Sequence, residues 1–396
     1  MKIKKNGVLA FLVSLNAFLL TSTLYSNIDF IVYITFAILF FTLIFLGSFR
    51  SINKAQLVFL SLLVSFVLSL LASIDINASI IPTIFFMFLI FYSISLSRSI
   101  ETLDDIERFM FYALMGFILF NIRNLTAPSS TLRFVGVVGQ PNALGLVSAT
   151  SLVLGISYLY LFSSYRNTSK FVSLSVILSS SILVVLAGSR GAIVAVLTAF
   201  SYLILKNIKY NIKITFGLII SFILLINIFQ QQIVESPLYS RVLAIPAAIG
   251  LDAPNTDIDI KYRSASDDIR VDIANTAIKG FLDKPILGNG LNTFQYYSDF
   301  VYTHSTVLEV LFTLGLFGSF IFLFIIFLSL KVKSKGEDVL LDRFFVIKNF
   351  ILIYYIVTAL SIPNFQNKSQ IIIYVFIIYV VEILYKNYKN KSLNKF

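Results

Sequence analysis

Cysteine and tryptophan are absent from this chain of 396 residues, and histidine occurs once, at position 304. Without cysteine there are no disulfides, thiolate metal sites or redox pairs. One histidine excludes a multi-histidine metal cluster. Charge is scarce too, at 13% of residues against about 25% in an ordinary soluble domain. No Walker-type glycine–lysine pattern occurs, which speaks against ATP hydrolysis by this chain. The remainder is dominated by apolar residues, 58% of the total, including 40 Phe and 20 Tyr. A soluble enzyme, a disordered chain and a disulfide scaffold are thereby excluded.

Apolar runs long enough to cross a hydrocarbon layer of about 30 Å recur along the chain. They predict an all-α polytopic membrane protein with twelve spans, at 8–25, 28–48, 55–73, 78–96, 109–125, 143–162, 171–187, 191–205, 213–229, 305–330, 344–361 and 369–385. The first follows Met1-Lys2-Ile3-Lys4-Lys5 without a small-x-small cleavage site, so a signal anchor is expected. Lys and Arg concentrate on cytoplasmic segments. With both termini inside, 21 of the 31 fall on inner segments. Arg123, Arg133, Arg190 and Lys368 lie on short outer turns, and 6 lie in the long loop after the ninth span. Inner-face lysines beside anionic lipid account for the net charge of +11, and no nucleic-acid partner is expected.

Three regions follow: transmembrane helices 1–9 over 1–229, an outer loop domain over 230–303, and helices 10–12 with a cytoplasmic tail over 304–396. Within the loop, Glu235-Ser236-Pro237 and Asp252–Asp268 have the composition of surface loop. Ile269, Ile273, Ala277 and Phe281 give Asp267–Leu282 the spacing of an amphipathic helix. Pro285 and Gly288-Asn289-Gly290 then mark a turn.

The outer face carries the candidate chemistry. Arg190, in Gly188-Ser189-Arg190-Gly191, either snorkels to lipid phosphate or offers a fixed fork to a large anion. A guanidinium binds phosphate in a bidentate plane and keeps its proton. Arg133 and Arg270 are further outer cations, and Arg270 has a solvated helix face as its alternative. His304 either caps the tenth span or takes a proton near neutrality. Glu309, inside that span, is a functional candidate because intramembrane carboxylates are costly. Gly315, Gly318 and Ser319 read as a small-residue face for close helix packing. Asp257-Ile258-Asp259 resembles an acidic metal-binding pair, but it lies outside, away from nucleotide donors, and is set aside.

In order, Arg133 with Gly139-Gln140-Pro141-Asn142, Ser189-Arg190-Gly191, Arg270 with Gly288-Asn289-Gly290, and His304-Ser305 with Gly315 and Gly318 resemble the O-antigen ligase and polymerase superfamily. The likeness runs through about residues 130–320. Members often carry tryptophan four residues after the loop arginine, where this chain has Ala274. The resemblance implies a GT-C-type, metal-independent inverting glycosyltransferase without cofactors, in the bacterial cytoplasmic membrane with its active site on the periplasmic face. The implied donor is a glycan on undecaprenyl diphosphate, and the acceptor a glycan or lipid A-core hydroxyl. His304 would be the general base, with Arg190 and Arg270 on the diphosphate. Arg133, Ser189, Asn289, Ser305 and Glu309 would complete the substrate contacts.

Within the superfamily a polymerase shares this chemistry and differs in acceptor, and transfer to protein is a third option. A transporter or flippase is the alternative of another class. Carriers place ionisable groups and broken helices at the midplane, whereas here the charges gather at the outer rim.

Overall fold

The computed structural model describes residues 2–26, 30–45, 54–128, 134–162, 167–207, 257–332, 339–361 and 368–393. The expected ninth span, the loop up to residue 256 and Arg133 lie outside the described residues. Twelve α-helices are formed by the described residues: α1 Lys2–Ser22, α2 Phe30–Phe45, α3 Lys54–Ala72, α4 Ile76–Ser99, α5 Leu103–Leu125, α6 Pro141–Phe162, α7 Asn167–Ala187, α8 Arg190–Asn207, α9 Asp257–Asp283, α10 Thr306–Lys331, α11 Val339–Ser361 and α12 Gln370–Leu393. No strand occurs among the described residues. Eleven helices coincide with expected spans, and α9 is the helix of the outer loop.

Each of α4, α6, α7, α10 and α11 is by itself long and apolar enough to cross a membrane. Shorter apolar stretches come from α1, α2, α3 and α12. On the outside of the bundle Ile81, Phe171, Leu205 and Phe320 are 70–75% exposed. Side chains of that size facing water would promote aggregation; facing hydrocarbon they are at rest. The chain is an all-α polytopic membrane protein.

Apolar helix faces gain little from leaving lipid, so packing and interhelical hydrogen bonds hold such bundles. Asn16 of α1 takes the Tyr92 hydroxyl of α4 at 2.7 Å and the Thr35 hydroxyl of α2 at 3.2 Å on its Oδ1. Asn121 of α5 donates to Ser179 and Ser180 of α7 at 2.8 and 2.9 Å, and Ser180 meets Ser151 of α6 at 2.7 Å. Gln370 of α12 donates to Thr150 of α6 at 3.1 Å, and Thr150 meets the Tyr354 hydroxyl of α11 at 2.9 Å. A cavity of about 70 Å³ between α3, α4, α10, α11 and α12 is lined by Phe59, Phe66, Leu314 and other mostly apolar side chains.

Alternating helix directions give the bundle two ends. One gathers the C-termini of α1, α3, α5, α7 and α11 with the N-termini of α4, α6, α8 and α10. Contacts across it include Arg123 to the Ser22 and Leu24 carbonyls, and Ile74 N–H to Asn289 O at 3.1 Å. The loop helix α9 packs against α10 at this end.

One expectation is corrected. The stretch Asp252–Asp268 was expected to be surface loop, but α9 begins at Asp257. This part has no apolar stripe to announce a helix. Once the amphipathic half from Ile269 has formed, each added residue costs little.

Candidate active site at the loop-covered end

Helix α9 buries Ile273 and Ala277 against Phe294 and Phe312, with Tyr297, Phe300 and Leu308 around them. After α9 the chain runs along a break in α10. Gly315 takes φ 63 and ψ −164, interrupting the helix. The backbone groups freed there are bonded by the loop. Asn289 and Gly290 N–H donate to the Phe312 and Thr313 carbonyls at 2.9 and 3.1 Å. Leu316 and Phe317 N–H donate to the Pro285 and Ile286 carbonyls at 2.8 and 3.1 Å. Irregular backbone at membrane depth is tolerated when protein groups bond it in this way.

A Cβ on Gly315 would stand 2.5 Å from Ile286 O, and one on Gly288 2.3 Å from Thr313 O. These glycines let two backbones touch and adopt left-handed φ. The reading of Gly315 as part of a small helix-packing face is therefore corrected: its role is the break itself. Gly318 and Ser319 are buried in the helix beyond it.

His304 closes the loop two residues before α10. It is half-buried and has φ 58, a left-handed conformation uncommon for a residue with a side chain. The Tyr302 ring stands edge-on to the imidazole, with centroids 4.6 Å apart, and Phe300 flanks it at 6.1 Å. Burial, and secondarily the positive field of Arg270 on α9, hold the imidazole below its ordinary pKa of 6.5. The ring therefore favours its neutral, proton-accepting form at neutral pH. Arg270 thus lies close enough for its charge to act on the His304 ring.

The neighbours of His304 are anchored on helices. Thr303 N–H donates to Glu309 Oε2 at 2.8 Å, and the Thr303 hydroxyl donates to Ser305 O at 2.9 Å. Glu309 is 1% exposed. The Ser305 hydroxyl reaches Ala359 O of α11 at 3.4 Å, at the geometric limit of a bond. Asn289, expected to meet substrate, is fully buried. Its amide donates to Gly280 O at 2.7 Å and its Oδ1 accepts the Tyr297 hydroxyl at 3.2 Å. Those bonds pin the loop to α9.

Arg190 is the first residue of α8, just beyond Gly188 at φ 59. Ser189 is buried, and its Cβ lies 2.5 Å from where a Cβ on Gly145 of α6 would stand. Gly145 therefore admits the α7–α8 turn against the start of α6. Just before that start, Gln140 Nε2 donates to the Tyr302 hydroxyl at 2.6 Å. Helices α8 and α11 are antiparallel and joined where Asn349 Nδ2 donates to the Tyr202 hydroxyl at 3.2 Å. Twelve residues, about 18 Å of helix, lead from that contact to Arg190 on α8 and to Ser361 on α11. Arg190 thus shares the His304 end of the bundle.

Gln140, Tyr302 and Thr303 were not singled out as site residues from sequence. The available signal was their position: two flank the sole histidine, and Gln140 sits in a motif already noted. Asp257 and Asp259 fall in the first turn of α9. Among the described residues no three His, Cys, Asp or Glu cluster as metal ligands.

None of the curated proteins compared matches the chain. The model of the O-antigen ligase family matches residues 174–323, from α7 into α10. That segment contains Arg190, Arg270, His304 and the Gly315 break. Over that segment, somewhat more than a third of the chain, the protein is similar to the O-antigen ligase family.

Proposed function

We propose that this protein transfers a glycan from undecaprenyl diphosphate to a sugar hydroxyl on the outer face of the bacterial cytoplasmic membrane, as an O-antigen ligase does. The likeness of residues 174–323 to the O-antigen ligase family supports a glycosyl-transferring role in surface glycan synthesis. The observation that carries the finer reading is His304, neutral-leaning and half-buried, held in a left-handed bend within the field of Arg270.

In this reading the acceptor hydroxyl gives its proton to the His304 imidazole as its oxygen attacks the anomeric carbon. The bond from that carbon to the diphosphate breaks from the opposite face, so configuration inverts. Negative charge growing on the departing diphosphate is met by the guanidinium groups of Arg190 and Arg270, and charge-assisted bidentate bonds are strong there. Arg133 is assigned to the same outer rim. Ser189, Ser305 and Asn289 shape the walls. With one histidine and no cysteine in the chain, the donor set favours arginine over metal for this work.

The architecture proposed is GT-C-type with twelve spans, both termini cytoplasmic and residues 230–303 outside. The positive-inside count supports it.

The test is purified protein in nanodiscs with a lipid-linked repeat unit and separate acceptors, in excess EDTA. Transfer to lipid A-core sugar supports the ligase reading. Extension of the lipid-linked glycan alone would reassign it as a polymerase. Activity returning only with manganese or magnesium would overturn the arginine mechanism.

A further inference from the structure

We propose that Glu309 is the positioning residue of His304, fixing through the backbone the bend that aims the imidazole, and is not a substrate contact. The proposal rests on the reading of His304 as the base.

A non-glycine residue at φ 58 carries strain of order 1–3 kcal/mol and persists only where its surroundings over-determine it. The restraints lie on either side of His304. Before it, Thr303 N–H is held by Glu309 Oε2 at 2.8 Å. Across it, the Thr303 hydroxyl bonds Ser305 O at 2.9 Å. Behind it, Ser305 leads directly into α10 without a side-chain cap. Glu309 lies in the first turns of that helix, and its own carbonyl is taken by the Thr313 hydroxyl at 2.5 Å. Its side chain is thus set on a rigid element and reaches back over the bend.

Burying a carboxyl group here is costly unless it is bonded. The bond it makes is to the residue preceding the base. A side chain facing substrate would need an open side, and Glu309 is 1% exposed. What the bend achieves is to set the imidazole against Tyr302 at 4.6 Å, within the field of Arg270.

The sole histidine makes this directly measurable: isotope-labelled histidine gives one imidazole signal set without assignment. Glu309→Gln keeps an acceptor oxygen, and Glu309→Leu removes it. The Gln variant should keep the wild-type imidazole shifts. The Leu variant should lose the displacement caused by the Tyr302 ring. Turnover of the Leu variant should fall by up to about 10²-fold with donor KM unchanged, as for a misplaced catalytic group. Unmoved imidazole shifts in Glu309→Leu would overturn the proposal, whatever the turnover. Should that variant fail to fold, Glu309→Gln decides alone: a shifted imidazole or a raised donor KM counts against positioning, and wild-type values of both support it. His304→Ala judges the base reading separately, since near-normal turnover there sinks it while the imidazole spectra still judge Glu309.

Discussion

The two ends of the helix bundle close in different ways. Among the described residues all nine positive-φ positions, from Tyr25 to Gly315, lie at or near the loop-covered end. The described connection at the other end, between α4 and α5, uses ordinary extended backbone and a capping box. There Thr102 and Asp105 bond each other's backbone N–H, and the Tyr379 hydroxyl seals Thr102 O at 3.0 Å. Nearby, Lys348 donates to the Ser329 and Val332 carbonyls at 2.5 and 2.7 Å, satisfying the C-terminus of α10. Among the described residues, strained backbone gathers around His304, whereas the α4–α5 connection carries none. Strain of this kind gathers where function needs a preset geometry.

If the contrast is functional, the largest effect should come from the strained end. His304→Ala should keep fold and donor binding but lose about 10²–10⁴-fold in turnover, the usual weight of a general base. Turnover per folded molecule beside a melting curve decides this, and a stable variant at wild-type rate would remove the base role. The pH profile adds a sign. The working form is neutral, and burial with Arg270 lowers the pKa, so the rate should hold below pH 6.5 before falling on further acidification. Arg270→Gln should move that fall upward, toward 6.5.

Arg190→Lys comes next. A point ammonium does not reproduce the bidentate fork. Losses of about 10–10²-fold are expected, below the 10²–10³-fold seen on removing an oxyanion donor outright. Unchanged glycan output at matched protein level would place Arg190 with lipid phosphate instead.

Gly315→Ala should act on stability before rate. Its Cβ would press on Ile286 O at 2.5 Å, at a φ of 63. A loss of about 1–3 kcal/mol is expected, visible as a lower melting temperature. An unchanged melt would mean that the loop and α10 separate easily.

The smallest effect belongs to the other end. Thr102→Ala removes an N-cap worth about 1 kcal/mol and should leave turnover untouched. A rate defect there would break the division of labour between the two ends.

Much of this was legible in the residues. Eleven expected spans became helices, because an apolar run matched to hydrocarbon thickness is a local property of the chain. The buried stripe Ile273 and Ala277 followed its spacing, whereas Ile269 is exposed. Arg190 and His304 stood out as ionisable groups in a chain with few. Other features left no local trace. The polar first half of α9 has no period to read, and Glu309 showed no partner because Thr303 is joined to it only once the chain bends.

Sequence by itself determined that this chain lives in a membrane as helices and that its single imidazole lies at a helix entry. Tertiary structure alone decided that Gly315 breaks α10, that Pro285–Gly290 bonds the break, and that Glu309 holds the backbone before His304. The physical reason is that backbone groups pair by position and not by residue type. Asn289 N–H finds Phe312 O, and Ile74 N–H finds Asn289 O, across separations that no periodicity encodes.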